Sequence, residues 1–317
     1  MEKKKGLEMS FSWIFAIMAG AVILFLAIYS ASKFIKTSKY EATTVTAKEL
    51  SIIFEPLETG IASFKGTKAV LNEETRIFNS CYDSGIFGEQ RFSLATKKGK
   101  QWSKPGGEII INNKYVFSNS SIEGKKIFIF GVPFNFPFKV ADMIILTTKS
   151  YCFVNAPGNI VEDLENLGLE NIKLEEENCT KEDIRVCFSG GFGSSGKCDM
   201  TVYGTCNFDC ESDFDEGYVT KKNKNLYFYK NLIYAAIFSD YEVYECNVKR
   251  LMKKALQLAL LYQDEANLVS AKCETIPSGE LASFSQQLSN LKSSQDIIAL
   301  SNFVKRLENQ AVVCELW

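Results

Sequence analysis

Gly191-Phe192-Gly193-Ser194-Ser195-Gly196-Lys197-Cys198 reads G-x-x-x-x-G-K-C, one letter short of a phosphate-cradling loop. It follows a strand-like run, Ile184–Phe188, as such a loop should. In a true phosphate loop a hydroxyl at the last position ligates Mg2+, and the chain then opens a helix whose N-terminus faces the phosphates. Here the hydroxyl position is Cys198, and Asp199-Met200-Thr201-Val202-Tyr203-Gly204 is β-branched and strand-like. The segment therefore predicts a Gly/Ser turn between two cysteine-bearing strands, and no bound nucleotide.

The chain contains no histidine, which excludes Ser-His-Asp and Cys-His catalysis within it and removes the commonest zinc ligand. Ten cysteines remain: Cys81, Cys152, Cys179, Cys187, Cys198, Cys206, Cys210, Cys246, Cys273 and Cys314. A zinc site would then need four thiolates in close pairs, but the tightest spacing is Cys206-x3-Cys210, with no second pair beside it. C-x-x-C, the mark of a thiol-disulfide oxidoreductase, is absent. The even count fits disulfides formed in an oxidising compartment; reduced cysteines buried as small hydrophobes are the alternative.

Carboxylates are the remaining source of chemistry. The run Asp209-Cys210-Glu211-Ser212-Asp213-Phe214-Asp215-Glu216-Gly217 offers Asp209, Asp213 and Asp215 as weak Ca2+ candidates, but it does not follow the EF-hand spacing. A solvated acidic loop is the simpler reading. Asn119-Ser120-Ser121 and Asn178-Cys179-Thr180 are glycosylation sequons, so Asn119 and Asn178 are candidate acceptors outside the cell. No cofactor is expected. A formal charge of −2 over 317 residues gives no broad electrostatic reason to bind nucleic acid.

These residues hang on an unusual amino terminus. Met9 to Ser32 form 24 residues without a charge, enough to cross a bilayer as a helix. Lys3, Lys4 and Lys5 precede it, which favours a cytoplasmic N-terminus and an exported C-terminal bulk. No cysteine lies before residue 81, in agreement with export. Ser30-Ala31-Ser32 would suit a cleaved secretory signal, although the apolar stretch is longer than an ordinary one.

Lys3-Lys4-Lys5-Gly6, then Leu7-Glu8-Met9-Ser10-Phe11 and the long apolar run, resembles the class III signal of archaeal type IV prepilins. The resemblance implies cleavage between Gly6 and Leu7 by a dedicated peptidase, with the hydrophobic helix retained. The family's glutamate at the fifth mature position would fall on Phe11, and Glu8 stands at the second. More loosely, the rest resembles uncharacterised membrane-anchored surface proteins of archaea. A filament subunit would continue its helix, yet Thr43-Thr44-Val45-Thr46 disfavours helix and Thr46-Ala47-Lys48-Glu49 reads as a capping box for a new short one.

The exported part divides by pattern. Thr75–Phe78, Arg91–Ala95, Ile109–Ile111, Tyr115–Phe117, Lys126–Phe130 and Met143–Thr147 are strand-like, and Cys152–Val154 closes the series. In Val132-Pro133-Phe134-Asn135-Phe136-Pro137-Phe138 the prolines predict an edge strand or loop, and the phenylalanines core packing ahead of a binding patch. Asn159–Leu167 suits a helix ended by Gly168, and Tyr227-Phe228-Tyr229 suits one arm of a hairpin. Beyond residue 240, Tyr244, Val248, Leu251 and Ala255 mark one helical face, Leu281, Phe284 and Leu288 another, and Ile297, Leu300 and Val304 a third. An antiparallel return would bring Cys314 to Cys246. Lys249, Arg250, Lys253 and Lys254 read as a solvated basic face ahead of an acid-binding site.

The expected fold class is α+β: an N-terminal transmembrane helix, a mainly antiparallel β ectodomain, a disulfide-rich α+β segment and a C-terminal helical hairpin or small bundle. The expected organisation is a basic cytoplasmic segment (1–8), the transmembrane helix (9–32), a linker (33–46), the β-rich region (47–155), the cysteine-rich segment (156–240) and the helical region (241–317). The expected function is non-enzymatic: a single-pass anchored extracellular protein with a structural or interaction role, a pilin-like one being the variant. Its partners would be the bilayer and proteins at the cell surface or in a filament. The alternative is an exported hydrolase or cation-dependent binding protein that uses carboxylates.

Overall fold

The computed structural model describes residues 13–33, 64–174, 176–189, 198–205, 214–269 and 278–310, and the chain is α+β with two mixed sheets. The processing site at Gly6 and Leu7, the linker, the short helix near 47 and Cys206, Cys210, Cys273 and Cys314 lie outside the described residues. Helix α1 (Trp13–Lys33) has a mean hydropathy of 2.4 and none of its most apolar stretch is buried. At about 1.5 Å per residue it is roughly 30 Å long, the thickness of a bilayer's hydrocarbon core.

The first sheet holds β1 (Gly66–Tyr82), β2 (Glu89–Lys98), β3 (Gln101–Trp102), β4 (Ile109–Ile111), β5 (Tyr115–Phe117), β6 (Ser121–Asn135) and β7 (Lys139–Thr147). Its order is β3-β2-β1-β6-β7-β5, with β4 also paired to β2. Every pairing is antiparallel except β5 with β7. The two ends of this sheet are close in sequence: Ile111 ends β4 and Tyr115 starts β5. Four residues reach at most about 14 Å. Five strand spacings of a flat sheet would need about 24 Å. The sheet must therefore curl, and its concave side holds a core that includes Ile77, Phe92, Ile111, Val116, Ile129 and Ile144.

A side chain closes the seam. The Val116 N–H donates to Gln90 Oε1 at 2.9 Å, and Gln90 Nε2 donates back to the Val116 carbonyl at 2.6 Å. Gln90 Nε2 also donates to Asn79 Oδ1 at 2.6 Å, and Asn79 Nδ2 donates to Ser118 Oγ at 2.8 Å. Gln90 is 0% and Asn79 1% exposed, so these amides stand in for the ladder partner that Val116 lacks on that side.

Helix α4 (Tyr241–Val269) lies over this seam. Asn247 Nδ2 donates to the Val116 carbonyl at 3.0 Å. Arg250, wholly buried, donates from Nε to the Phe87 carbonyl at 3.1 Å and from Nη1 to Asn247 Oδ1 at 2.7 Å and the Lys114 carbonyl at 3.1 Å. Lys253 Nζ donates to the Gly85 carbonyl at 3.1 Å and to the Asp83 carbonyl. This corrects the expectation of a solvated basic face, because half of that stripe clamps the β1–β2 turn. At Gly88, in that turn, φ is +62° and a Cβ would come within 2.9 Å of Arg250 Cγ. A second correction concerns Cys246, which bonds to Cys81 at the end of β1 and not to Cys314.

The second sheet runs β13-β12-β11-β10-β8-β9, from β8 (Tyr151–Val154), β9 (Ile172–Lys173), β10 (Ile184–Ser189), β11 (Met200–Thr205), β12 (Glu216–Lys221) and β13 (Lys224–Tyr229). Strand β8 belongs here and not at the end of the first series. Parallel pairing of β8 with β9 and β10, and of β10 with β11, makes this half mixed. The expected Gly/Ser turn lies in 190–197, outside the described residues; the strands on either side of it, β10 and β11, are parallel, and the Cys187–Cys198 disulfide joins its two flanks. The β12–β13 hairpin appears as expected, with Lys222 and Asn223 both at positive φ.

Helix α2 (Gly158–Asn166) follows β8, and α3 (Leu232–Phe238) lies between the sheets with all seven residues buried. The Phe238 ring meets Phe130 of β6 at 5.3 Å and Tyr151 of β8 at 4.5 Å. Helices α5 (Ser278–Ser289) and α6 (Gln295–Gln310) complete the core. Phe134, Phe136 and Phe138 are at most 1% exposed and pack within it, Phe138 against Tyr262 of α4 at 4.9 Å.

Replacing Gln90 with Leu leaves the Val116 N–H and Asn79 Oδ1 without these partners inside a buried seam. The expected loss is about 3 kcal/mol in denaturant unfolding. A loss below about 1 kcal/mol would show that the seam does not depend on this amide.

Candidate functional site

A cleft of about 610 Å3 opens where β8, β10 and β11 begin, lined by Tyr151, Ile184 and Met200 from those strand starts. Lys221, Asp183, Asp240 and Asn119 are among its polar groups, and Lys181, Glu182 and Lys222 also line it. Ligands of parallel sheets ordinarily sit beyond the opposite, carboxyl ends of the strands. The carboxyl ends of β10 and β11 lead into 190–197 and 206–213, the glycine-rich stretch and most of the acidic run, both outside the described residues.

Lys221, Asp183 and Asp240 each have a structural employment. Lys221 Nζ donates to the Ala236 carbonyl at 2.6 Å, the Ile237 carbonyl at 3.1 Å and the Ser239 carbonyl, all at the C-terminal end of α3. A helix leaves its last carbonyls unpaired and its C-terminus partially negative, so a lysine there satisfies both needs. Burial pushes the Lys221 amine down to about 7, with Asp240 opposing the shift.

Asp183 Oδ2 accepts from Lys173 Nζ at 2.7 Å, the Thr180 N–H at 2.5 Å and Thr180 Oγ1 at 2.8 Å. Its side chain is 3% exposed. Burial alone would raise this carboxyl's pKa, but these donors outweigh it and hold the group well below the usual carboxylate range. Asp240 caps α4, accepting from the Val243 N–H at 3.0 Å, and ties it to the first sheet by accepting from the Ser120 N–H at 2.5 Å. Tyr151 is buried, which pushes its phenol up to about 12. Lys221, Asp183 and Asp240 are thus engaged with helix carbonyls, a lysine and a helix N-terminus, and Tyr151 is a buried phenol.

The sequence candidates fall elsewhere. Six of the ten cysteines form Cys81–Cys246, Cys152–Cys179 and Cys187–Cys198. Asn178 is exposed, whereas Asn119 is half-buried at the cleft. Asp215 lies 3.4 Å from Lys305 of α6. Asp209 and Asp213 lie outside the described residues. Among the described residues no three Cys, Asp or Glu are grouped to hold a metal. No family model, curated protein or solved structure matches the chain. Lys221 and Asp183, the most perturbed groups of the cleft, carry no signal in the sequence, since Lys221 opens an ordinary polar hairpin turn.

Two measurements separate structural from chemical roles here. Lys221→Met strips three carbonyls of their donor, and a loss of about 2 kcal/mol, roughly 4–8 °C in Tm, is expected. Asp183 is more acidic folded than unfolded, so its stabilisation is complete above its unfolded pKa of about 3.9 and fades as pH falls further. Asp183→Asn should therefore destabilise by about 2 kcal/mol at pH 7, with the gap to wild type closing between pH 4 and 2. A gap independent of pH would assign the loss to packing alone.

Proposed function

We propose that this chain is a single-pass membrane protein whose disulfide-bonded domain stands outside the cell, with a structural or interaction role and no catalysis of its own. The observation that carries this reading is α1: 21 apolar-rich residues with none of their most apolar stretch buried, on a chain whose domain holds three disulfides. A core helix would bury such a surface, so α1 needs an apolar environment that the domain does not supply. Disulfides persist in oxidising compartments. Lys3, Lys4 and Lys5 ahead of the helix favour a cytoplasmic N-terminus.

Processing between Gly6 and Leu7, as in archaeal type IV prepilins, would leave α1 as the anchor, and a pilin-like filament role is the variant of the same proposal. The hydrolase alternative is weakened by the engagement of Asp183, Asp215 and Asp240 with lysines, a serine and a helix N-terminus.

Fractionation and thiol labelling test the topology together. The protein should stay with membranes through alkaline carbonate washing. A membrane-impermeant maleimide should label none of Cys81, Cys152, Cys179, Cys187, Cys198 and Cys246 until a reductant is added. Release by carbonate, or ready labelling of all six under denaturing conditions without reductant, would overturn the proposal. Intact-mass measurement reads the N-terminus, and a retained Met1 sinks the prepilin-like processing.

A further inference from the structure

Between α4 and the end of α5 runs a groove of about 450 Å3 whose floor and rim differ in chemistry. Met252 and Leu256 from α4 and Leu288 and Leu291 from the end of α5 make an apolar floor. The rim carries three lysines against one carboxylate: Lys249 lies 3.9 Å from Asp83, Lys253 donates to the turn carbonyls, and Lys292 is exposed. Residues four apart share a helix face, so the floor continues from Leu256 to Leu260, which is 42% exposed. At the other end stands the β1–β2 turn, held by Lys253, with Ile86 67% and Phe87 38% exposed.

We propose that this groove docks an acidic amphipathic helical segment of a partner protein. Apolar side chains three and four residues apart on that segment would seat on the leucine floor, and its carboxylates would face Lys249, Lys253 and Lys292. Exposed ion pairs contribute little energy each. Because Met252 and Leu288 are already buried, the affinity comes from the part-exposed Leu256 and Leu291 and the exposed Leu260, while the lysines select an acidic partner and speed its approach. An anionic bilayer is less favoured as the occupant, because a concave groove between two helices matches a helix better than a lipid surface. The inference deepens the interaction role proposed above and rests on it.

The test uses the full chain in neutral phosphatidylcholine nanodiscs and a fluorescein-labelled 18-residue peptide, with leucine at helical spacing and glutamate elsewhere. A second peptide has lysine in place of every glutamate. Fluorescence anisotropy should show binding of the glutamate peptide only, weaker at high salt. Lys249→Glu with Lys292→Glu should weaken it at least tenfold. Lys292→Glu alone, an exposed position on the rim, should weaken it about threefold, and Lys98→Glu on the first sheet should leave it unchanged. No binding, equal binding of both peptides, or an unaffected double variant overturns the proposal. So does lysine-dependent capture of phosphatidylglycerol vesicles without peptide binding, which would assign the surface to lipid. A chain that stays in membranes but ignores the peptide loses this partner and keeps its anchor; the reverse result keeps the groove and loses the anchor.

Discussion

The first sheet depends on one exchange of hydrogen bonds, between the Gln90 amide and the backbone of Val116. Curling brings β5 against Gln90 of β2 but supplies no backbone partner for Val116 on its seam side. A buried, unpaired N–H costs about as much as several apolar contacts return. Gln90 removes that cost, and in doing so places an amide in an otherwise aliphatic interior. Its remaining valences must then be met as well, which is why Asn79, Asn247 and Arg250 gather at the same point.

Arg250 carries the constraint outward. Its guanidinium is wholly buried: Nε and Nη1 donate to carbonyl and amide oxygens, the Tyr115 ring lies at 4.9 Å, and Nη2 has no hydrogen-bond partner among the described residues. Burial lowers its pKa, yet an arginine stays charged, so those oxygens must remain in place. They come from the β1–β2 turn, from the β4–β5 connection and from α4 itself, and so the helix and the curled sheet are compatible in one arrangement only. The Cys81–Cys246 bond, spanning 165 residues, fixes the same two elements covalently. On the far side α3 joins the sheets by apolar packing, and Lys221 closes its end. At these two junctions Lys221 and Arg250 serve as donors to backbone oxygen.

What could be read from the sequence follows from the range of the interaction. Periodicity predicted the three C-terminal helices, because a buried stripe such as Tyr244, Val248 and Leu251 is a local pattern. The Lys222–Asn223 turn and the stop at Gly168, with φ +61°, are local too. Rejecting the phosphate loop needed only the residues after Cys198, and β11 runs where a helix would have begun. By contrast, β8 leaves the first series because its neighbours, β9 and β10, are supplied later in the chain. The pairing of Cys81 and the burial of Arg250 were equally invisible, since their partners lie about 160 residues away. The cleft groups share that property: nothing near Lys221 in sequence announces the end of α3.

The same helix that closes the seam also builds the groove, and this bears on how a partner would bind. Along α4, Arg250 turns inward while Lys249 and Lys253 turn toward the β1–β2 turn and the rim. Lys253 is held by two carbonyls of that turn, so its rotamers are already restricted before any partner arrives. Freezing a free lysine on binding costs about 0.5–1.5 kcal/mol, and here folding has met part of that cost. The floor residues Met252 and Leu288 are 2% and 4% exposed, packed on the core and unable to collapse into the groove. A surface so fixed favours recognition of a pre-formed helix over capture of a floppy chain. It also links the groove to the seam, because a change that loosens Arg250 would move the helix that carries both.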